Sequence, residues 1–271
     1  MNNREIKFKH IIITRFNLSQ RWKKDKLGKN VLDNDWLIKR YKLFIQFCLP
    51  SIKSQQIQNF EWWVYFDSAL PEKYKALNKQ LNIDYENFKP RYEDSYDSFE
   101  INMPNNIKKQ LVNKDIDYLI STRLDNDDML AKDTVELIQK TNINSKKDKI
   151  LELPIGYTLG INQNYIIKKV NSKLNPFISL IEKINVNEPI KTVYYNQHNK
   201  WTNVDNIELS SKAQWIQIIH DRNVSNSLIG DFTLALGISR RFEICNIERI
   251  NIYWMGLIPL IKRKIKFILK M

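Results

Sequence analysis

The chain has 271 residues, with 43 basic against 30 acidic side chains and a formal charge of +13, a length that suits one large domain or two small ones. With 43% hydrophobic and 11% aromatic residues it can bury a core, which argues against a disordered chain. Its six glycines never fall into G-x-G-x-x-G or G-x-x-x-x-G-K-[ST] spacing, which argues against a Rossmann NAD enzyme and a P-loop kinase.

Cys48 and Cys245 lie too far apart for a C-x-x-C knuckle and read as two buried thiols in a reducing compartment. His10, His198 and His220 form no H-E-x-x-H, and no G-x-S-x-G occurs, so the chemistry falls to carboxylates. No apolar run approaches the roughly 18 residues that span a bilayer, and the N-terminus lacks a signal-peptide core. A protein on the cytoplasmic side is expected.

Phe8 to Thr14 (FKHIIIT) reads as a first buried strand. Asn34 or Asp35 can cap a helix with apolar positions at Leu37, Tyr41, Phe44, Ile45, Cys48 and Ile52, kinked or ended by Pro50. Trp62 to Phe66 (WWVYF) is a second strand, with Asp67 and Ser68 at its carboxyl end. Pro71 suits a first helical turn, after which Tyr74, Leu77 and Leu81 share a face. Residues 83–91 carry little pattern. Ile107 to Val112 looks helical, and Asp117 to Thr122 (DYLIST) is a strand running into Arg123, Leu124, Asp125, Asn126, Asp127 and Asp128. The alternation predicts an α/β fold, a mostly parallel sheet flanked by helices, with ligands at the carboxyl ends of its strands.

Beyond Lys149, Ile150 to Leu153 and Tyr165 to Val170 read as strands joined across Gly156 and Gly160, followed by a helix near Phe177 to Ile184. No linker or repeat separates this part, so it reads as the second half of one fold. The last stretch, Ile252 to Met271, holds Lys262, Arg263, Lys264, Lys266 and Lys270, no acid, and many interleaved apolar residues. It reads as a basic amphipathic helix suited to an anionic membrane surface, a solvated surface helix being the plainer alternative.

Asp125, Asp127 and Asp128 follow a buried strand within four residues. Such charges repel unless a cation neutralises them, and hard oxygen ligands favour Mg²⁺ or Mn²⁺. An ion with open positions can take substrate phosphates and offset charge on a departing diphosphate. The plainer reading is a helix N-cap cluster. Arg123, in the same loop, and Arg91 could bind phosphate, or pair with Asp125 and Glu93. Trp201 and Trp215 could stack on a sugar, although core packing is the commoner fate of tryptophan.

The ordered set HIIITRFNL, WWVYFDS and DYLISTRLDNDDML resembles the GT-A fold glycosyltransferases, and TRLDNDD is similar to a bacterial rhamnosyltransferase family. LELPIGYTLG, Asn175 to Phe177, His198 with Trp201, and WIQIIHDRN extend the resemblance over residues 8–225. It implies a nucleotide-sugar-binding half over 1–140 and an acceptor-binding half over 141–250 of one domain, and the basic tail over 251–271, read from its composition, lies beyond the resemblance. Asp127 would coordinate the metal, Asp125 the ribose or the metal, and Asp128 would support the loop or hold the donor sugar. Asp67 would contact the base, and Phe16 and Asn17 would line the nucleotide pocket. A late histidine, His220, would be a further metal ligand, tilting the choice toward Mn²⁺, a strand-end residue satisfied by backbone being the plainer alternative. His198 reads as a loop residue or an acceptor contact.

An inverting transfer needs a base for the acceptor hydroxyl. Asp205, Glu208 and Asp231 are candidates, with Asp205 preferred for its place between the family-like blocks. The expected partners are a nucleotide-sugar donor, a glycan or lipid-linked glycan acceptor, and an anionic inner membrane face, but no nucleic acid. Two alternatives compete. A basic nucleic-acid binder should carry a recognition signature, and none is present. A nucleotidyltransferase should carry a glycine-rich turn after the first strand, where this chain has none.

Overall fold

The computed structural model describes residues 6–18, 33–112, 114–141, 147–161, 166–173, 175–185, 187–201, 204–221, 223, 226–233, 237–244 and 261–262. Most of the basic tail, Cys245 and residues 19–32 therefore lie outside the described residues.

Strands β1 (Phe8–Arg15), β2 (Glu61–Asp67), β3 (Phe88–Glu93) and β4 (Tyr118–Arg123) pair in parallel in the order β3-β2-β1-β4. They form one half of a seven-stranded sheet. Its other half adds β9 (Ile178–Lys183), antiparallel to β4, then β6 (Lys149–Glu152) and β10 (Asp205–Glu208) at the outer edge. β9 alone runs against the rest, so the sheet is mostly parallel.

Continuous apolar runs become strands here because both faces of the sheet are covered. In β2, Trp62, Val64 and Phe66 face one core, while Trp63 and Tyr65 face another. The second core closes on α4 (Tyr96–Leu111) through Tyr96, Phe99, Met103, Ile107 and Leu111. The first closes on α3 (Glu72–Asp84) and on a long helical segment made of α1 (Asn34–Leu43), a π-turn (Phe44–Cys48) and α2 (Leu49–Lys53). Asp33, one residue before the expected caps, accepts the Trp36 N–H at 2.7 Å. The π-turn shifts the buried face, so Ile45 is exposed and Phe47 takes a core position.

Two expectations for the second half are corrected. Phe177 to Ile184 is not a helix: it forms β9, between β4 and β6, where Ile178 and Leu180 pack on one side and Ile181 on the other. Burial on both faces removed the alternation that distinguishes strand from helix. Gly156 and Gly160 do not merely link two strands, because they lie in a strand of their own, β7 (Ile155–Gly160). It belongs to a second sheet with β5 (Met129–Leu130), β8 (Ile166–Asn171), β11 (Trp215–Ile219) and β12 (Asp231–Phe232), in the order β12-β8-β7-β11-β5. The close approach needs glycine at 156, since a Cβ there would lie 2.0 Å from the Trp215 ring.

Candidate active site

The chain leaves β1 toward β2 on one side and enters β4 on the other, so the carboxyl ends of β1 and β4 open a crevice at the reversal of strand order. A cavity of about 630 Å³ lies there, within the range of about 300–1,000 Å³ usual for small-molecule sites. Arg15 to Leu18 line it after β1, Trp36 and Arg40 from α1, and Arg123 and Asp125 to Asp127 after β4; Tyr194 to Asn199 form the facing wall.

The long helical segment holds the acidic loop from beneath. The Cys48 thiol donates to the Asp125 carbonyl at 3.7 Å, and the Leu130 N–H donates to Ser51 Oγ at 3.3 Å. Gln55 Nε2 donates to the Ala131 carbonyl at 2.8 Å. Further along, Arg40 Nη1 lies 2.6 Å from Asp127 Oδ2 and donates to Asn126 Oδ1 at 3.0 Å, with its guanidinium 4.8 Å from the Trp36 ring centre.

The three aspartates have three environments. Asp127 is buried, which pushes its carboxyl up, but Arg40 and the His220 hydrogen bond outweigh burial and hold it at about 2. His220 Nε2 meets the same Oδ2 at 3.0 Å, so an oxygen and a nitrogen donor converge on one spot. Asp125 faces the cavity and pairs with Arg123 Nη2 at 3.2 Å and Arg15 Nη2 at 3.9 Å. Burial raises its carboxyl, and the two guanidinium charges more than offset that. Asp128 does not line the cavity. Its Oδ1 accepts the Ile218 N–H at 2.9 Å, and Oδ2 has no hydrogen-bond partner among the described residues. Burial, then the charges of Asp127 and Asp125, push this carboxyl well above the usual range.

At the other end of the cavity, Arg123 Nη1 donates to His198 Nδ1 at 3.2 Å. A guanidinium cannot accept a hydrogen bond, so a neutral His198 carries its proton on Nε2. Burial and the Arg123 charge lower its basicity and favour that neutral ring. The Tyr194 ring lies 4.9 Å from the Arg15 guanidinium and 5.8 Å from that of Arg123. The wall that carries Tyr194 and His198 is anchored to β9. Glu182 accepts the N–H groups of Lys191 and Thr192 at 2.9 and 2.8 Å, and the Val193 N–H donates to Ser121 Oγ at 2.8 Å.

Phe16, Asn17, Arg123, Asp125 and Asp127 thus share the cavity, and His220 reaches it from behind Asp127 without lining it. Asp67 does not line it: its Oδ1 accepts the Ala69 N–H at 2.9 Å, and its own N–H donates to Asn17 Oδ1 at 3.1 Å. Asp205 is exposed on the outer strand β10, away from the cavity wall. Arg91 lies against the Trp63 ring, 4.3 Å from its centre, and not in the cavity. Trp201 and Trp215 are buried, the latter stacked on Phe177 at 4.4 Å. Glu208 and Asp231 are also exposed and away from the cavity wall. Among the described residues no group of three or more His, Cys, Asp and Glu side chains is gathered as a metal-ligand set, since Asp125 pairs with arginines instead of joining Asp127 and His220.

Sequence reasoning missed Arg15, Trp36, Arg40, Glu100 and Tyr194, which also line the cavity. Arg40 had a signal: it falls on the buried stripe of α1 with Trp36, Leu37 and Tyr41, where an unpaired charge would not be tolerated. Glu100, exposed on α4, is the lining carboxylate that no basic side chain engages among the described residues.

Among solved structures, the chain is similar to TarS residues 1–349 from S. aureus at 14% identity, covering 79% of this chain and 60% of that one, with a TM-score of 0.42. The chain thus spans about 60% of that TarS structure. A "putative nucleotide-diphospho-sugar transferase" from Desulfovibrio desulfuricans is 15% identical over 80% of this chain and 83% of its own, with a TM-score of 0.37. No curated protein matches. The family described as "Putative rhamnosyl transferase" matches residues 9–231, most of the length, and the chain belongs to that family.

Proposed function

We propose that this glycosyltransferase moves a sugar from a nucleotide diphosphate donor to a hydroxyl of a glycan or lipid-linked glycan, with Mn²⁺ or Mg²⁺ held by Asp127 and His220. The observation that carries the reading is the convergence of Asp127 Oδ2 and His220 Nε2, with Arg40 beside them, at the crevice between β1 and β4. One oxygen and one nitrogen donor fit an ion that draws its remaining ligands from substrate phosphates and water. Such an ion, when bound, offsets the negative charge that gathers on the departing diphosphate.

The chain's own residues supply the rest. Phe16 and Asn17 line the end of the cavity suited to the nucleoside, and Arg15 and Arg123 bring positive charge to an anionic donor. His198 offers an Nε2–H donor to a sugar or acceptor oxygen, which leaves it unsuited to take a proton while Arg123 occupies Nδ1. Glu100, engaged by no arginine among the described residues, is better situated than Asp205 to accept the proton of the attacking hydroxyl.

The basic tail supports contact with an anionic inner leaflet, which would raise the encounter rate with a lipid-linked acceptor. Of it, Ile261 and Lys262 are described, both exposed, and no helix among the described residues is long and apolar enough to cross a membrane. The test of the function is a thermal-shift screen of UDP, dTDP and GDP with and without Mn²⁺, followed by sugar transfer from the matching donor. A nucleotide that stabilises the protein only with the metal supports the reading. No stabilisation by any nucleotide under either condition would overturn it.

A further inference from the structure

We infer that Arg40 is the resident counter-cation of Asp127, that a divalent ion must displace it, and that the released guanidinium then holds the donor's diphosphate. The inference rests on the metal-dependent reading above and adds to it a linkage between metal and nucleotide.

The argument begins with one oxygen. Asp127 Oδ2 receives Arg40 Nη1 at 2.6 Å and His220 Nε2 at 3.0 Å, and the Arg40 and Asp127 side chains are only 9% and 6% exposed. An ionised Asp127 is an acceptor only, so without metal the His220 ring presents an Nε2 proton to it. A metal ligand must instead present a bare nitrogen. An ion bridging Oδ2 and Nε2 would therefore meet a proton on one ligand and a guanidinium against the other. Like charges this close repel strongly in a buried setting, so the ion and Arg40 cannot both keep that oxygen.

The surroundings give Arg40 somewhere to go. Its other partners are neutral: Asn126 Oδ1 at 3.0 Å and the Trp36 ring. Asn126 is fixed in turn by donating to the Phe16 carbonyl at 2.7 Å. Trp36, Arg40 and Asn126 all line the cavity, so the guanidinium can leave Asp127 for the cavity while its stem stays on α1. A charged group moved off a carboxylate in a confined site needs a new anion, and a diphosphate is that anion. Metal and diphosphate then each remove the obstacle to the other, and the coupling is reciprocal.

The test uses the full chain and reads Mn²⁺ binding by the loss of the free-ion electron paramagnetic resonance signal. Arg40→Gln keeps much of the stem and a donor for Asn126 but removes the charge. Without nucleotide it is expected to bind Mn²⁺ at least about tenfold more tightly than the parent protein, about 1.4 kcal/mol, while Arg40→Lys stays close to the parent. The reciprocal variant is Asp127→Asn, which frees Arg40. In EDTA it is expected to bind UDP or dTDP several-fold more tightly than the parent, and the double variant Asp127→Asn/Arg40→Gln loses that gain.

Arg40→Gln binding Mn²⁺ no more tightly than the parent overturns the inference, as does a gain in Asp127→Asn that survives in the double variant. Should Arg40→Gln fail to fold, the Asp127→Asn pair decides alone. A parent protein that takes up no Mn²⁺ even with a nucleoside diphosphate rejects the metal reading itself. A parent that binds both, beside an unchanged Arg40→Gln, rejects only the role of Arg40.

Discussion

Glu182 gives the most quantitative expectation outside the acidic loop, because it ties the wall of the cavity to the centre of the sheet. It is 4% exposed, and its two oxygens accept the backbone N–H groups of Lys191 and Thr192. Thr192 is held at φ 62°, a left-handed conformation that a residue with a branched side chain adopts only when its neighbours enforce it. Burial pushes the carboxyl from an ordinary 4.5 to about 7, against the pull of the two N–H groups. Between those pH values the folded chain keeps a proton that the unfolded chain releases. The stability from this group is therefore fully present below 4.5 and is lost as pH rises through about 7. At about 1.4 kcal/mol per pH unit, the loss is about 3 kcal/mol. Glu182→Gln removes the titration but leaves one backbone N–H facing an amide NH₂, which costs about 1–3 kcal/mol at every pH. Urea unfolding of both proteins from pH 4 to 8 measures the difference between them. The disadvantage of the variant should shrink as pH rises, and a difference constant to within about 0.5 kcal/mol across the range would refute the reasoning.

Gly156→Ala would drive a methyl group into the Trp215 ring, 2.0 Å from its nearest atom, and push apart the Trp215–Phe177 stack. A loss of at least about 1–3 kcal/mol is expected by thermal denaturation. His10 is buried and bonded to Thr122 Oγ1 at 2.8 Å, and burial, helped by Lys9, lowers it from 6.5 to about 3. Its contribution is complete above pH 6.5 and is lost as pH falls through about 3, up to about 5 kcal/mol, so His10→Gln should flatten the acid limb of the stability profile. Arg123→Lys keeps the charge but loses the fork that spans both Asp125 oxygens and His198; affinity for a nucleoside diphosphate, read by calorimetry, should fall about tenfold.

Much of the parallel half was legible because its strands are short β-branched or aromatic runs, and FKHIIIT and WWVYF became β1 and β2 almost residue for residue. The acidic loop was legible for the same reason, following β4 without a gap. The second half resisted. β9 is apolar on both faces, so ISLIEK carried no period to separate strand from helix, and β3 was hidden because FKPRYE holds a proline and charges. The cavity was half visible. Residues next in sequence to Asp127 could be named, whereas Arg40 and Tyr194 come to it through helix packing and a loop anchored on Glu182, contacts between residues distant along the chain. Asp67 and Asp205 were drawn by position alone. The structure turns the first into a cap for its own turn and leaves the second on the sheet's outer edge.

The most direct measurement compares Asp127→Asn with the parent chain in thermal unfolding with a nucleoside diphosphate, with and without Mn²⁺, alongside sugar transfer. The parent should gain about 2.7 kcal/mol at a ligand concentration near 100 times Kd when Mn²⁺ is present. The variant should melt as a folded protein, gain nothing from added Mn²⁺, and transfer no sugar. A variant that keeps both the Mn²⁺-dependent stabilisation and full turnover would contradict a catalytic centre built around Asp127.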